Sequence, residues 1–548
     1  MNKLLGQLLK KRGFSEDFLT PKYEDLIDAR ELPDMEKAVE RIKKAVREKE
    51  KVLIYGDYDA DGVTAAAIMR DTLVKAGIQE VVTVLPDRFK DGYGLNMRVV
   101  EQAEREKAAL VVTVDCGSNN AEVVMALGVA GIDVIVTDHH EIMGELPQAV
   151  AVINPQRLEL GTQKNAELKM LCGAGVAFMV ARGLVQAGLI PAGQEKWLLD
   201  LVVIGTICDN MTLVGQNRIL GFYGLKVLKK TRRVGLVELM RVAGVKKLSA
   251  EAIGFQIGPR LNAAGRLASA ELAYRLLTAD SRANAAQLAQ ELEDLNRERK
   301  QQQQRGVQEI EQRGVGEKPV IVAVGDWHEG VLGIIAGRLV EEYRRPVFVL
   351  APTAEDEQVL KGSARSFGEF SLAEVCRECK NSLVAGGGHA GACGVKVLKE
   401  KLTEFEREVN KFYQKLELKN QERFLEQTED LVLTGVEQLN QDLAQELKKL
   451  EPCGIGNVEP IFKLERMRIV EARKMGEEEK HLRLIVQGED GGTLKLLAFS
   501  APKLWLDVTM GDEVTVWINL IENEWRGLRS VEGRILRLEY CDECENLI

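Results

Sequence analysis

Val52-Leu53-Ile54-Tyr55-Gly56-Asp57-Tyr58-Asp59-Ala60-Asp61-Gly62 passes in one step from an apolar run to alternating acids closed by glycine. The pattern recurs. Leu110-Val111-Val112-Thr113-Val114 is followed by Asp115, and Val134-Ile135-Val136-Thr137 by Asp138-His139-His140. Leu201-Val202-Val203-Ile204-Gly205-Thr206-Ile207-Cys208 runs into Asp209. Continuous apolar runs of this kind read as strands of a parallel sheet covered on both faces. Open α/β sheets gather their ligands at the carboxyl ends of such strands. The four runs are therefore expected to converge on one crevice, with 201–208 counted among the strands although a helix also fits it.

Outward from this block, the spacing predicts helices over 35–50, 63–76, 96–107 and 120–130, alternating with strands as in a doubly wound α/β domain. The expected divisions are a helical lead-in over 1–50, a catalytic domain over 51–280 and a connector over 281–316. A smaller α/β domain follows over 317–420, then a β-barrel domain of oligonucleotide-binding (OB) type over 421–548. The polar connector, with Gln301 to Gln304 at its middle, reads as a solvated helix between lobes. Alternating runs at 482–486, 494–499 and 514–518 supply the barrel strands.

The chain has 548 residues, 45% of them hydrophobic and 29% charged, enough for several cores. Its net charge of −10 argues against indiscriminate polyanion binding but leaves room for a local basic channel. No secretory leader or membrane span is read, so a cytoplasmic monomer is expected. Nine cysteines argue against a disulfide framework. The pairs Cys376/Cys379 and Cys541/Cys544 fall in different domains and are read as unconnected.

Asp59, Asp61, Asp115, His139 and Asp209 form the candidate metal set, with Asp115 placed to bridge two ions. Hard oxygen ligands with an imidazole suit magnesium or manganese. Two such ions about 3.5–4 Å apart activate water and stabilise an in-line phosphoryl displacement. Asp57 is either a ligand or a group that orients one. Arg88, Arg260 and Arg266 lie in turn-rich contexts suited to phosphate recognition. Ser363, Arg365 and the Gly386-Gly387-Gly388-His389 loop add donors from the second lobe. Tyr93 either stacks on a base or packs in its turn, and Trp505, Trp517 and Trp525 either stack or fill the barrel core.

The motifs at Asp57–Gly62, Asp115, Asp138-His139-His140 and Asp209 resemble those of the DHH phosphoesterases. Pro86–Asn96, Leu171–Phe178, Pro259–Arg266 and Trp327–Ile334 are similar to the RecJ single-strand-specific exonucleases within that group. The resemblance spans nearly the whole chain. It implies a manganese- or magnesium-dependent exonuclease acting 5′-to-3′ on single-stranded DNA and releasing mononucleotides in repair and recombination. It also implies a single-strand-binding protein and a helicase as partners. His140 would lie beside the reacting phosphate; Arg88, Ser363 and Arg365 would meet a terminal 5′-phosphate. Arg260, Asn262, Arg266 and His389 would contact phosphates nearer the cut. Tyr55 stands where many relatives carry a ligating His. The competing readings are a phosphodiesterase for short RNA or cyclic dinucleotides, which usually lacks the lead-in and barrel, and a non-catalytic scaffold, which predicts eroded ligands.

Overall fold

The computed structural model describes residues 2–92, 94–353, 356–416, 428–476, 479–525 and 528–540. After α1 (Lys3–Arg12) and α2 (Met35–Glu48) come β1 (Val52–Tyr55), β2 (Val81–Val84), β3 (Leu110–Val114), β4 (Asp133–Thr137) and β5 (Ala151–Ile153). They form one sheet in the order β2-β1-β3-β4-β5, every pairing parallel. The crossovers use α3 (Ala60–Ala76), α4 (Arg98–Glu106) and α5 (Ala121–Val129), within a residue or three of expectation. Side chains alternate across β1. Val52 and Ile54 enter one core with Val63 of α3, while Leu53 and Tyr55 enter another with Val99 and Leu127. Tyr55 pairs with Thr113 and Val114 with Thr137, so the carboxyl ends of β1, β3 and β4 lie level.

The run before Asp209 departs from the strand reading. After α6 (Gln163–Leu168) and α7 (Gly173–Gln186), it forms helix α8 (Leu199–Cys208), packed against α3 and α7. Leu199 to Thr206 are all buried, and a helix apolar all round shows no 3.6-residue stripe. Periodicity cannot separate it from a covered strand. Three strand ends and one helix end therefore feed the crevice.

The lobe continues through α9 (Gly215–Leu228), α10 (Val234–Val242), α11 (Ala250–Ala252) and a π-helical turn (Ile253–Ile257). It closes with α12 (Gly258–Leu267) and α13 (Glu271–Leu277). The connector is α14 (Arg282–Arg313), 32 residues and so about 48 Å long. It is docked at both ends. Leu288 and Leu292 enter the first lobe's core, and Val307 and Ile310 pack with Trp327 and Ile335 of the second.

That second lobe holds β6 (Ile321–Val324), α15 (Leu332–Tyr343), β7 (Val347–Pro352), β8 (Val359–Arg365), α16 (Leu372–Glu378), β9 (Ala385–Gly388), β10 (Ala392–Leu398) and α17 (Leu402–Lys415). Its sheet runs β6-β7-β8-β10-β9, with only β6–β7 parallel. The last unit adds β11 (Leu431–Leu433), α18 (Gln441–Leu447), β12 (Ile461–Met475), β13 (His481–Gln487), β14 (Thr493–Ala498), β15 (Glu513–Trp525) and β16 (Leu528–Tyr540). Pairing of β12 with both β13 and β15 closes the barrel, and β14–β16 is its parallel seam. Strands β12 and β16 are not among the expected barrel strands; register shifts interrupt their alternation, on β12 against β15 between Leu464 and Met467 and on the β15–β16 pairing at Trp517/Ile518.

The lead-in divides. Leu4, Leu5, Leu8 and Leu9 of α1 pack into the barrel core with Phe462 and Leu464, whereas Met35, Ala38 and Ile42 of α2 join the catalytic core. Arg12 makes a two-pronged pair with Asp430 at 2.6 and 2.7 Å. Trp517 is only 7% exposed and donates to Glu429 at 3.3 Å, so it serves the barrel wall and not as an open stacking surface. The Trp525 side chain, Cys541 and Cys544 lie outside the described residues.

Candidate metal centre

Each acid is fixed by a backbone feature. Asp59 caps α3, its Oδ1 accepting from Asp61 N at 2.9 Å and Gly62 N at 3.0 Å. Asp61 sits in the first turn of α3, not on the strand. Its carboxylate accepts from Gly173 N at 2.6 Å and Ala174 N at 3.0 Å, at the positive end of α7. Asp115 follows β3 in the left-handed region, φ 61°, a conformation Asp tolerates better than most residues. Three glycines allow the approach. A Cβ on Gly62 would stand 2.7 Å from the Asp57 backbone, one on Gly173 2.5 Å from Asp115 Oδ1, and one on Gly205 2.4 Å from Asp61 Oδ1.

His139 lies at the middle. Its Nε2 is 3.1 Å from Asp115 Oδ1, 3.6 Å from Asp209 Oδ2 and 3.9 Å from Asp61 Oδ2. Asp61, His139 and Asp209 make one compact ligand group, and Asp57, Asp59 and Asp115 a second; Asp115 also groups with His139 and His140. The five expected ligands therefore come together, and Asp57 joins them. Tyr55 is committed elsewhere: its buried hydroxyl accepts from Asn96 Nδ2 at 2.8 Å and bonds Gly94 O at 3.3 Å.

Burial and then the neighbouring carboxylates push Asp115 well above the usual carboxyl range and Asp57 and Asp209 up to about 8. Burial dominates at Asp61 too, raising it despite His139. Burial lowers His139, favouring a neutral ring with a lone pair to offer. Burial also opposes charge on His140, but the hydrogen bond and charge of Asp138, 2.8 Å from Nδ1, lift it to about 9. Asp138 itself is held by the backbone N–H groups of Ser118, His139 and His140.

Among the described residues, Asp57 Oδ1, Asp115 Oδ1 and Asp209 Oδ2 are buried with no hydrogen-bond partner. Such orphaned carboxylate oxygens are costly, and a divalent cation satisfies several at once. With one imidazole beside them, the donor set fits magnesium or manganese.

Across the crevice, arginines of the two lobes approach one another. Arg266 feels Arg88, Arg299 and Arg365, and burial with these like charges brings it down to about 10. Arg365 is lowered by burial and by Arg88, and among the described residues donates only to neutral partners, Ser363 Oγ at 3.1 Å and Ala364 O at 2.8 Å. Arg88 lies over the Tyr58 ring at 4.9 Å. Among the described residues none of the three has a carboxylate ion-pair partner, the condition of a place prepared for an anion. Gly333, near the start of α15, lies against Ser363 and Arg365, its absent Cβ 3.0 Å from each. The sequence shows Gly333 only as part of Trp327–Ile334, and its proximity to Arg365 is visible only in the fold.

The other expected substrate residues sit differently. Arg260 is buried and pairs with Glu293, also donating to Gln256 O at 2.6 Å. Asn262 Oδ1 accepts from Ala60 N at 2.9 Å, bracing the start of α3. His389 is exposed after β9, with Gly391 N donating to its Nδ1 at 3.1 Å. Tyr93 lies outside the described residues.

The single-stranded-DNA-specific exonuclease RecJ of Escherichia coli is 35% identical over 563 residues, covering 96% of this chain and 94% of that protein. The chain belongs to the RecJ family. RecJ of Bacillus subtilis is 34% identical over 95% of the chain, which spans 66% of that longer relative. The profile of the DHH family, N-terminal domain, matches residues 51–206 and stops just short of Asp209. The DHHA1 domain profile matches 317–415 and the RecJ OB domain profile 430–536. A crystal structure of RecJ with Mn2+ from Thermus thermophilus superposes with a TM-score of 0.83 at 30% identity, covering 99% of this chain and 76% of that one. A second manganese-bound RecJ exonuclease structure gives 0.62 at 32% identity, over 72% and 98% of the two chains.

Proposed function

We propose that the chain is a single-stranded-DNA-specific exonuclease that hydrolyses phosphodiester bonds from the 5′ end and releases mononucleotides for repair and recombination. The observation that carries this reading is the pairing of opposites across one crevice. The orphaned carboxylate oxygens of Asp57, Asp115 and Asp209 lie in a group within electrostatic reach of the cationic trio Arg88, Arg266 and Arg365, Arg88 acting on Asp57 and Arg266 on Asp59. Asp59, Asp61, Asp115, His139 and Asp209 are the residues to hold two divalent cations, manganese or magnesium, with Asp115 shared. When bound, such cations polarise a phosphoryl oxygen and make water a nucleophile near neutral pH.

The chain's own groups do the rest. His140, kept charged by Asp138, stabilises the phosphorane-like charge and can give its proton to the leaving oxygen. Arg365 and Arg88, with Ser363, hold the terminal phosphate, and Arg266 the next one inward. Arg260 fixes α12 through Glu293, and Asn262 fixes the start of α3, so both position the centre. His389 reaches the strand from the exposed Gly-rich loop.

A single-strand-binding protein and a helicase as partners, a monomeric state and a cytoplasmic location complete the proposal. No helix among the described residues is long and apolar enough to cross a membrane.

Digestion of 5′- and 3′-labelled single strands and duplexes with each metal tests it. Mononucleotides released from 5′ ends of single strands are expected, and preferential cleavage of cyclic dinucleotides would favour the phosphodiesterase reading. Asp115→Ala should abolish turnover at saturating manganese with a cooperative melt retained. Arg365→Ala should cut the preference for 5′-phosphorylated over 5′-hydroxyl ends by roughly tenfold, one charged hydrogen-bond site's worth.

A further inference from the structure

A cleft of about 920 Å³ separates the catalytic lobe from the 451–459 segment that leads into β12. Cys208 and Asn210, which flank Asp209, and Asn262, which braces the start of α3, line it, so the cleft lies next to the metal centre. Val458 and Glu459, just before β12, also line it. The catalytic side presents Phe255, an aromatic ring 76% exposed, and the barrel side presents Ile455 and Val458 at 50% and 52%. Phe255 stands on the π-helical turn before α12, a rare local geometry found mostly where function needs it.

The charges lining this cleft do not suit phosphates. Lys246 and Lys247 are set against Glu251, Glu451 and Glu459, and Lys247 is already bonded to Glu451 at 3.3 Å. This differs from the uncompensated arginines beyond the metal centre. A polynucleotide crossing here must turn its phosphates to solvent and its bases to the wall.

We propose that this cleft receives the unpaired bases of the strand between the cut site and the barrel, with Phe255 as their stacking platform. The inference rests on the nuclease reading above and adds a source of single-strand selectivity to it. A single strand offers free base faces to an aromatic ring whatever its sequence. A duplex keeps its bases stacked inside and offers this carboxylate-bearing wall only phosphates. Discrimination then comes from recognition of bases.

The test is binding, read apart from hydrolysis in an Asp115→Ala background by fluorescence anisotropy. The ligands are a 5′-phosphorylated oligothymidylate long enough to reach the barrel and a strand of equal length that is abasic beyond its first nucleotides. We expect Phe255→Ala to weaken binding of the intact strand by about tenfold, the usual scale for one stacked base. The abasic strand should bind the parent about as weakly, and Phe255→Ala should change it little. Phe255→Trp should restore the difference between the two strands. Equal weakening of both strands by Phe255→Ala, or no weakening of either, overturns the proposal. A parent protein that binds these strands but never cuts them would defeat the proposed function and leave this result readable.

Discussion

Asp57, Asp61, Asp115 and Asp209 share one crevice at the expense of their own ionisation. In the absence of cations, burial and mutual repulsion keep Asp57 and Asp209 protonated up to about pH 8, with Asp61 and Asp115 also raised. In the unfolded chain the same carboxyls release their protons near pH 4. The folded state therefore binds more protons across the window from about 4 to about 8, and stability must fall as pH rises through it. Chelated protein should show a declining Tm over this range. Manganese added at the alkaline end should reverse the decline; at about a hundred times its Kd a ligand adds about 2.7 kcal/mol. Asp115→Asn should flatten the pH slope and shrink the manganese effect. A chelated protein whose Tm ignores both pH and manganese would show that these groups do not form one electrostatic unit.

At the scale of elements, the centre depends on helices coming closer to carboxylates than any side chain permits. Gly173 opens α7 against Asp115, and Gly205 inside α8 lies against Asp61 and Thr64. Gly205→Ala places a methyl 2.4 Å from Asp61 Oδ1 and 2.6 Å from Ala174 Cβ, so α8 or the carboxylate must shift. Overpacking of this kind costs about 1–3 kcal/mol, which a protein this size survives. The displaced ligand costs more: an error of about 1 Å can remove about a hundredfold in rate. Manganese titrations of kcat should show that fall together with weaker apparent metal affinity, on a protein that still melts cooperatively. The chain announces Asp59, Asp61, Asp115 and His139 because chemistry-bearing residues follow short apolar runs at strand ends and helix starts. It hides Gly205, and the helical nature of its segment, because a wholly buried helix has no polar face to set a period. Phe255 escapes for a related reason, since an aromatic within a helical pattern reads as core until its exposure is seen.

Across the whole molecule, the order of the parts is legible in the chain but their joints are not. The lead-in looks like one helical segment, yet α1 belongs to the barrel core and α2 to the catalytic core, contacts more than 400 residues apart in the first case. No local pattern encodes such pairings. Arg218 of α9 is the clearest joint. Its guanidinium is fully buried, donates to Phe18 O at 3.1 Å and to Leu450 O and Lys449 O at 2.8 Å each, and lies 4.5 Å from the Phe18 ring centroid. Burial holds it down to about 10, and among the described residues no carboxylate pairs with it. One side chain thus ties the lead-in and the turn before the barrel to the catalytic lobe. Arg218→Met keeps the bulk but removes all three donors, at about 1–3 kcal/mol for each buried carbonyl left unmet. The loss falls on the seam and not inside any one core. Calorimetry should therefore resolve a barrel transition below that of the catalytic lobe, and proteolysis should quicken at 451–459. Because the barrel then no longer holds the strand in line, KM for long single strands should rise while turnover of a short oligonucleotide is little changed. A single transition at the parent Tm, with KM for long strands unmoved, would mean that the barrel is held by the other contacts of the 451–459 segment, such as Leu213 N to Ile455 O at 2.7 Å and Lys247 to Glu451 at 3.3 Å.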